Sequence, residues 1–168
     1  MSAQWRGDER AEESSALVVL TSAHLDALMV IENAAYAFPW TRGNFIDSIV
    51  AGYSARVLLD ARGAVLGYFV AMAGVDEMHL LNITVAPQAQ SRGHARLMIA
   101  ALIALCREQA AQALWLEVRQ SNERARSIYA RLGFVQQGMR KGYYPAPLGR
   151  REDAVVLSLR IGARDGLE

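Results

Sequence analysis

The sequence has little with which to bind a metal or to form a covalent cross-link. It contains one cysteine, Cys106, which excludes an intramolecular disulfide and a multi-cysteine zinc site. His24, His79 and His94 are far apart and lack the spacing of metal ligands, so we expect no metal. Cys106 lies on the expected core face of a helix, where packing is more common than nucleophilic chemistry. This cysteine content predicts a cytoplasmic location.

The sequence also lacks an excess of one charge and a long apolar run. Its 18 basic and 17 acidic side chains give a net charge of +1, which argues against direct binding to nucleic acid. The apolar run at residues 17–20 is far shorter than a signal-peptide core or a membrane span. We therefore expect no membrane association, and we interpret residues 1–16 as a flexible polar tail.

Length and apolar periodicity predict one domain built from strands and helices. The chain has 168 residues, 52% of them hydrophobic, which is enough for one core but too short for two ordinary domains. Alternation predicts strands such as residues 78–86, and helical spacing predicts a long helix from Arg92 to about Ala111. We predict an α/β fold of the α+β type, with a mixed, mostly antiparallel sheet of about six to seven strands and about four flanking helices. The predicted domain spans residues 17–162, followed by a tail at 163–168.

Residues 83–98 lead from a predicted strand through a loop into the long helix. At a helix start the first N–H groups lack helical partners, and the helix dipole places partial positive charge there. Gly93 allows a ligand to approach the main chain closely, and Arg92 and Arg96 add positive charge. This junction therefore suits a phosphate group. The alternative is a helix start at which glycine is merely tolerated and the arginines are solvated.

The same loop carries a recognisable motif. The pattern Gln90-x-x-Gly93-x-Ala95 resembles the Q/R-x-x-G-x-G/A signature of the GCN5-related N-acetyltransferase (GNAT) superfamily. The resemblance implies that acetyl-CoA is the co-substrate, that this loop holds its pyrophosphate, and that the preceding strand pairs with its pantetheine arm. The cofactor-binding residues implied in this segment are Ile83, Thr84, Val85, Ser91, Arg92, Gly93, His94, Ala95 and Arg96.

A second segment, residues 114–134, carries groups suited to the acetylation of an amine. Glu117 stands in an apolar strand, where a charge is costly unless it is paired or functional. Asn122 and Tyr129 are two helical turns apart and share a face. Only a neutral amine attacks an acetyl group, so the reaction needs a proton acceptor, and the departing thiolate benefits from a donor. Glu117 suits the first role and Tyr129 the second, although a tyrosine at this position can also serve packing alone.

Further motifs resemble the RimI-type ribosomal-protein alanine N-acetyltransferases from about Leu17 to Ile161. They are AFPW at 37–40, DE…L-x-N-I-x-V at 76–85, LWLEVR-x-SN at 114–122, Y-x-x-LGF at 129–134, YYP at 143–145 and REDA at 151–154. The resemblance implies acetylation of the N-terminal alanine of protein eighteen of the small ribosomal subunit. In that family's pattern, Glu117 matches the general base, Tyr129 the general acid and Asn122 the asparagine that contacts the cofactor.

The same resemblance implies that the AFPW and YYP segments border the groove for the acceptor peptide. Phe38, Trp40 and Tyr143 can equally well cover the core. The sequence departs from the family pattern at Ser91, where a basic residue is common, and at Ala95, which replaces a glycine. The loop before REDA is one residue longer, which can alter the choice of peptide.

Two other glutamates deserve comparison with Glu117. Glu77 is a rival base, because many members of the superfamily place their catalytic glutamate on the strand that carries the I-T-V residues. Glu32 lies on an amphipathic helix, where we expect a solvated side chain.

Two other functions fit the same motifs. The first is acetylation of a different amine, such as a lysine, a polyamine, an antibiotic or an aminoacyl-tRNA, because one fold serves many acceptors. The second is a non-catalytic acetyl-CoA-binding module, which needs the loop but neither Glu117 nor Tyr129. We expect a monomer or weak dimer whose acceptor is the N-terminal peptide of a ribosomal protein.

Overall fold

The structure is a computed structural model that describes residues 15–162. The predicted tails at residues 1–16 and 163–168 lie outside the described residues, except for Ser15 and Ala16. Ala16 already belongs to the first strand, one residue earlier than the predicted domain boundary.

Seven strands and four α-helices make up the described part of the chain. The strands are β1 (Ala16–Val19), β2 (Ser54–Leu59), β3 (Val65–Ala73), β4 (Glu77–Val85), β5 (Ala113–Arg119), β6 (Val135–Pro145) and β7 (Arg151–Arg160). The α-helices are α1 (Leu25–Ala35), α2 (Arg42–Val50), α3 (His94–Glu108) and α4 (Glu123–Arg131). Short 3-10 helices lie at Ser22–His24, Pro87–Ala89 and Pro147–Gly149.

The strands form one sheet in the order β1-β2-β3-β4-β5-β7-β6. The β4–β5 pair is parallel, with a register from Glu77↔Ala113 to Leu80↔Leu116. The pairs β1–β2, β5–β7 and β6–β7 are antiparallel. The predicted class, an α/β fold with a mixed sheet and about four helices, is confirmed.

Contacts within the chain define two compact units, which are described separately. In the described residues, the first comprises 15–70 and 82–98, and the second comprises 71–81 and 99–162.

The core of the first unit forms around aromatic side chains. Phe45 and Tyr68 are fully buried, and their rings meet edge to face with centroids 5.7 Å apart. Trp40 packs on Phe45 at 5.1 Å. Each such pair contributes about 0.5–1.5 kcal/mol beyond the burial of its area. Thr41 caps α2 by accepting a hydrogen bond from the Asn44 amide, so the helix begins directly after the AFPW segment.

The second unit is organised by β5, whose side chains alternate between two faces. One face is buried, and its residues are Leu114, Leu116 and Val118. The opposite face carries Trp115, Glu117 and Arg119. The antiparallel register with β7 extends along the whole of β5, from Ala113↔Arg160 to Arg119↔Ala154. The alternation therefore places Glu117 on the face away from the apolar core.

The last helix, α4, is capped at both ends. The Asn122 side chain caps its start by accepting a hydrogen bond of 3.2 Å from the Ala125 amide. At its end Gly133 adopts a φ of +96°, and the Phe134 amide donates to the Tyr129 carbonyl at 3.0 Å.

The long helix α3 is shorter than the predicted span from Arg92 to Ala111. It begins at His94 because Gly93 adopts a φ of +83°, and it ends at Glu108 shortly before Ala110, which has a φ of +56°. Between residues 15 and 162, no helix is both long and apolar enough to cross a membrane.

Candidate active site

The predicted phosphate-binding loop lies in the first unit, between β4 and α3. Ser91 and Gly93 both have left-handed backbone conformations, with φ of +64° and +83°. The Leu97 amide donates to the Gly93 carbonyl at 3.1 Å, so the amides of residues 94–96 precede the helical ladder. A turn of this shape before a helix start presents successive N–H groups to an anion. These residues fit the pyrophosphate of acetyl-CoA.

The main chain beside this loop is closely packed. A Cβ atom at Gly67 would lie 2.6 Å from the Thr84 carbonyl oxygen and 2.9 Å from Met98 Cε. The Ala86 amide also donates to the Leu66 carbonyl at 2.8 Å. Only glycine fits at residue 67, and the predicted pantetheine strand, residues 83–85, is thereby held in place.

His94 is buried at the first position of α3. Burial lowers the pKa of His94, and the charge of Arg92 lowers it further. The ring is therefore neutral at neutral pH, and the positive charge of the loop comes from the arginines and the helix start.

Glu32 is buried in the first unit, which corrects the expectation of a solvated side chain. It is 1% exposed, and its carboxylate accepts hydrogen bonds from three neutral groups. The Trp40 amide donates at 2.9 Å, the Tyr68 hydroxyl at 2.5 Å, and the Asn82 amide nitrogen at 3.3 and 3.4 Å to the two oxygens. Among the described residues, no buried polar side-chain atom lacks a hydrogen-bond partner. This carboxylate therefore fixes the AFPW segment to β3 and β4.

The hydrogen bonds continue from Asn82 to the predicted pantetheine strand. The Thr84 hydroxyl donates to Asn82 Oδ1 at 2.8 Å, and the Tyr36 hydroxyl lies 2.7 Å from Thr84 Oγ1. Tyr36 also donates to the Ile83 carbonyl at 3.2 Å. No local pattern in the sequence indicates this set of bonds, because its members are up to 50 residues apart.

Glu117 lies in the second unit at the centre of a charged cluster. Its Oε2 atom is 2.6 Å from His79 Nε2 on β4. Its Oε1 atom accepts a hydrogen bond of 3.1 Å from Arg140 Nη1 on β6. Burial alone raises the pKa of Glu117, but the hydrogen bonds and charges of His79 and Arg140 outweigh it, and the pKa falls below its ordinary value. Glu117 is therefore ionised at neutral pH.

Aromatic side chains flank this cluster on β6. The Arg140 guanidinium lies 4.3 Å from the ring centroid of Tyr143, and that of Arg119 lies 4.6 Å from the centroid of Tyr144. Arg119 also donates to the Pro145 carbonyl and pairs with Glu152 at 3.0 Å. Burial and the charge of Glu117 raise the pKa of Tyr144, which stays neutral. The YYP segment is thus held by two arginines.

The other predicted residues of the second unit lie on or beside α4. Tyr129 is buried, and its ring meets that of Phe134 edge to face at 5.3 Å. Asn122 is the helix cap and uses its side-chain oxygen on the Ala125 amide. Its side-chain nitrogen is a further donor.

The rival base Glu77 opens β4 and is exposed, with its carbonyl oxygen bonded to the Gly74 amide. Cys106 is fully buried, and burial raises the pKa of its thiol to about 11, which fits packing rather than nucleophilic chemistry. Among residues 15–162, no group of three or more His, Cys, Asp or Glu side chains could hold a metal ion.

A separate cleft of about 530 Å³ lies in the second unit at the end of α3. Its lining includes Arg107, Glu108, Gln112 and Ile161. None of the predicted site residues belongs to this lining.

Comparison with known proteins identifies the family. Residues 25–134 match the Acetyltransferase (GNAT) family. The chain is 36% identical over 134 residues to a [ribosomal protein bS18]-alanine N-acetyltransferase from Haemophilus ducreyi, which covers 80% of this chain and 92% of the relative.

Solved structures agree with this result. The crystal structure of the ribosomal-protein-S18-alanine N-acetyltransferase from Escherichia coli superposes with a TM-score of 0.81 and 33% identity, covering 92% of this chain and 97% of that one. A phosphinothricin acetyltransferase from Sinorhizobium meliloti, solved in complex with AcCoA, shares the fold alone, with a TM-score of 0.74, 21% identity and 89% coverage of each chain. The chain therefore belongs to the acetyltransferase (GNAT) family and is an acyltransferase.

Proposed function

We propose that this enzyme transfers the acetyl group of acetyl-CoA to the N-terminal alanine of ribosomal protein bS18. The observation that carries the proposal is the ionised Glu117 carboxylate, held by His79 and Arg140 at the position that the sequence predicts for the base. Two relatives of more than 30% identity that carry this activity in their names support the choice of acceptor.

For the co-substrate, we assign the pyrophosphate to the loop and helix start at residues 91–96. The left-handed backbone at Ser91 and Gly93 and the charges of Arg92 and Arg96 support this assignment. The main chain of residues 83–85 is assigned to the pantetheine arm, and Asn122 to a further contact. A protein of the same fold was solved with AcCoA, which supports the same ligand class.

Glu117 is assigned to deprotonation of the acceptor. An α-amino group has a pKa of about 8, so loss of its proton near neutral pH requires only modest assistance. An ionised carboxylate with a lowered pKa is a weak base by itself, but it stabilises positive charge close to it. Deprotonation can therefore pass through water or a neighbouring group, with Glu117 supplying the negative charge.

Tyr129 is assigned to the departing thiolate. Proton transfer from a phenol of pKa about 10 to a thiolate of pKa about 8.5 is uphill by roughly 2 kcal/mol with unshifted values. A hydrogen bond from the Tyr129 hydroxyl therefore stabilises the thiolate more readily than complete proton transfer does. The fixed position of the ring against Phe134 supports such a directed contact.

Exposed aromatic surface is available for a peptide in each unit. Phe38 of the AFPW segment is exposed in the first, and Tyr143 of the YYP segment is exposed in the second. Contacts within each unit hold both segments in place. The Trp40 amide of the first donates to Glu32, and the Tyr143 ring of the second packs against the Arg140 guanidinium. Rigid aromatic surfaces of this kind bind extended peptides with little loss of entropy.

The test measures release of free CoA thiol from acetyl-CoA with a peptide that carries the N-terminus of bS18. Matched peptides have a blocked α-amine, or a lysine as the only free amine. We expect release only with the free alanine amine, and mass spectrometry should locate the acetyl group there. Turnover that continues on the α-blocked peptide would refute the proposed acceptor and favour another amine.

A further inference from the structure

The Glu117 cluster brings together side chains from three strands. His79 comes from β4, Glu117 from β5 and Arg140 from β6. Each carboxylate oxygen has its own nitrogen partner, His79 Nε2 at 2.6 Å from Oε2 and Arg140 Nη1 at 3.1 Å from Oε1. Both oxygens thus already accept a hydrogen bond from a side chain of the cluster.

Exposure differs among the members of the cluster in a way that matters for chemistry. The side chain of Glu117 is 10% exposed, whereas that of His79 is 29% exposed. One ring nitrogen of His79 faces Glu117, and within residues 15–162 the other, Nδ1, has no hydrogen-bond partner. The open basic atom of the cluster therefore belongs to the imidazole and not to the carboxylate.

We propose that His79 is a catalytic residue whose Nδ1 atom takes the proton from the acceptor ammonium, while Glu117 holds the ring through Nε2–H and stabilises the imidazolium. This inference rests on the proposed function and names the atom that performs its deprotonation step. Arg140 holds one carboxylate oxygen of Glu117 and thereby orients the other oxygen, which faces His79.

The proton balance is simple. The N–H bond of the acceptor ammonium breaks, a new N–H bond forms at His79 Nδ1, and the freed lone pair of the amine attacks the acetyl carbon. The thioester bond then breaks, and its electron pair leaves on the CoA sulfur, which accepts a hydrogen bond from Tyr129. As the amide forms, the nitrogen loses its second proton, which neutralises the thiolate. The imidazolium returns its proton to solvent through its exposed edge, and no oxidant or metal takes part.

The charges around the ring favour this role. The hydrogen bond to Glu117 raises the pKa of His79 above its usual value of 6.5, partial burial opposes the rise, and the charges of Glu117 and Glu77 add to it while that of Arg140 opposes it. The charge of Glu117 also acts on Tyr144, which burial keeps neutral. The rise brings the pKa of His79 towards that of an α-amine, which improves the match between base and substrate.

The kinetic test compares the wild type with His79→Gln over a range of pH, with His24→Gln as the matched control. Glutamine keeps a donor for Glu117 but cannot take a proton. About nine-tenths of an α-amine is protonated near pH 7, so we expect kcat of His79→Gln to fall roughly fivefold to tenfold there. Above about pH 9 the amine is neutral by itself, and we expect the deficit to shrink to within about twofold.

Two results overturn the assignment. A deficit of the same size at every pH would indicate a structural role for His79, and the absence of a deficit would indicate no role. The pH limb of kcat should also move to the pKa of the acceptor amine in the variant, and KM for acetyl-CoA should remain unchanged. Free imidazole should restore activity to His79→Gly, because that variant opens a space for the missing ring.

A readout without turnover separates this inference from the proposed function. Nitrogen NMR of isotope-labelled histidine, assigned with the His24 and His94 variants, reports which ring nitrogen carries the proton. We expect Nε2–H with a free Nδ1 in neutral His79, and a lower pKa in Glu117→Gln. A proton on Nδ1 would refute the inference whatever the substrate. Failure on the alanine peptide with turnover on another amine would refute only the proposed acceptor, and the pH profile is then measured with that amine.

Discussion

Two enclosed carboxylates, Glu32 in the first unit and Glu117 in the second, have opposite surroundings. Glu32 is 1% exposed, and all of its partners are neutral donors: a main-chain amide, a phenol and a carboxamide. Glu117 is 10% exposed, and its partners are an imidazole and a guanidinium that remain partly open to solvent. Neutral, buried donors hold a carboxylate in place but cannot pass a proton between it and solvent. Charged, accessible partners provide a route for protons, so the second carboxylate suits proton chemistry and the first suits architecture.

The largest effect should come from removing the architectural carboxylate. Glu32→Ala leaves the Trp40 amide, the Tyr68 hydroxyl and the Asn82 amide buried without their acceptor, and each such loss costs about 1–3 kcal/mol. We expect the free energy of unfolding to fall by about 3 kcal/mol or more in denaturant titrations. The control is Glu108→Ala at the exposed end of α3, which should stay within about 0.5 kcal/mol of the wild type. Equal unfolding free energies for Glu32→Ala and Glu108→Ala would contradict a structural role for Glu32.

Next in size is the effect of Glu117→Gln on turnover. The variant keeps the shape of the side chain but loses the charge that stabilises both the His79 imidazolium and the positive charge that develops on the attacking amine. We therefore expect kcat to fall by roughly 10² or more, further than in His79→Gln. Binding of acetyl-CoA, measured by calorimetry, should be nearly unchanged. The matched variant Glu77→Gln alters the exposed glutamate at the start of β4. If Glu77→Gln loses more activity than Glu117→Gln, the base has been assigned to the wrong strand.

Tyr129→Phe should reduce turnover by roughly 10², because it removes the hydroxyl assigned to the thiolate but leaves the ring packed against Phe134. Acetyl-CoA affinity should be almost unaffected. Tyr53→Phe, which removes a hydroxyl ahead of β2, serves as the control and should retain full activity. Equal turnover rates for Tyr129→Phe and Tyr53→Phe would indicate that Tyr129 serves packing alone.

The fold was predictable because its signals are local. Periodicity predicts the strands and helices, and glycine at residue 133 together with asparagine at residue 122 marks the ends of α4. The prediction was wrong for the limits of α3, since the left-handed conformations of Gly93 and Ala110 shorten it at both ends. The prediction of Glu117 is local as well, because it depends on a charge within an apolar strand.

The partners of the two carboxylates were not predictable, because they depend on contacts distant in sequence. His79 reaches Glu117 through the parallel register of β4 and β5, in which His79 pairs with Trp115. Arg140 lies on β6 at a point where the register with β7 shifts between Arg140 and Tyr144. Helical spacing alone treats Glu32 as solvated, whereas β3 and β4 supply its donors from residues 36 and 50 positions away.

The smallest expected effect is a pH-dependent difference in stability that tests the ion pair of His79 and Glu117. The pKa of His79 is raised in the folded protein, so its contribution is complete below about pH 6.5 and is lost as pH rises through the folded pKa. The pKa of Glu117 is lowered, so its contribution is complete above about pH 4.5 and is lost as pH falls through the folded pKa.

The difference in unfolding free energy between the wild type and His79→Gln should therefore be largest between about pH 4.5 and pH 6.5. Because the pair is partly exposed, its pH-dependent part should be on the order of 1 kcal/mol. Denaturant titrations across that range check it, with His24→Gln, which lies outside the cluster, as the control. If the difference in unfolding free energy between the wild type and His79→Gln stays constant from acid to alkaline pH, His79 and Glu117 do not form an ion pair. The two carboxylates, Glu32 and Glu117, would then differ in exposure alone.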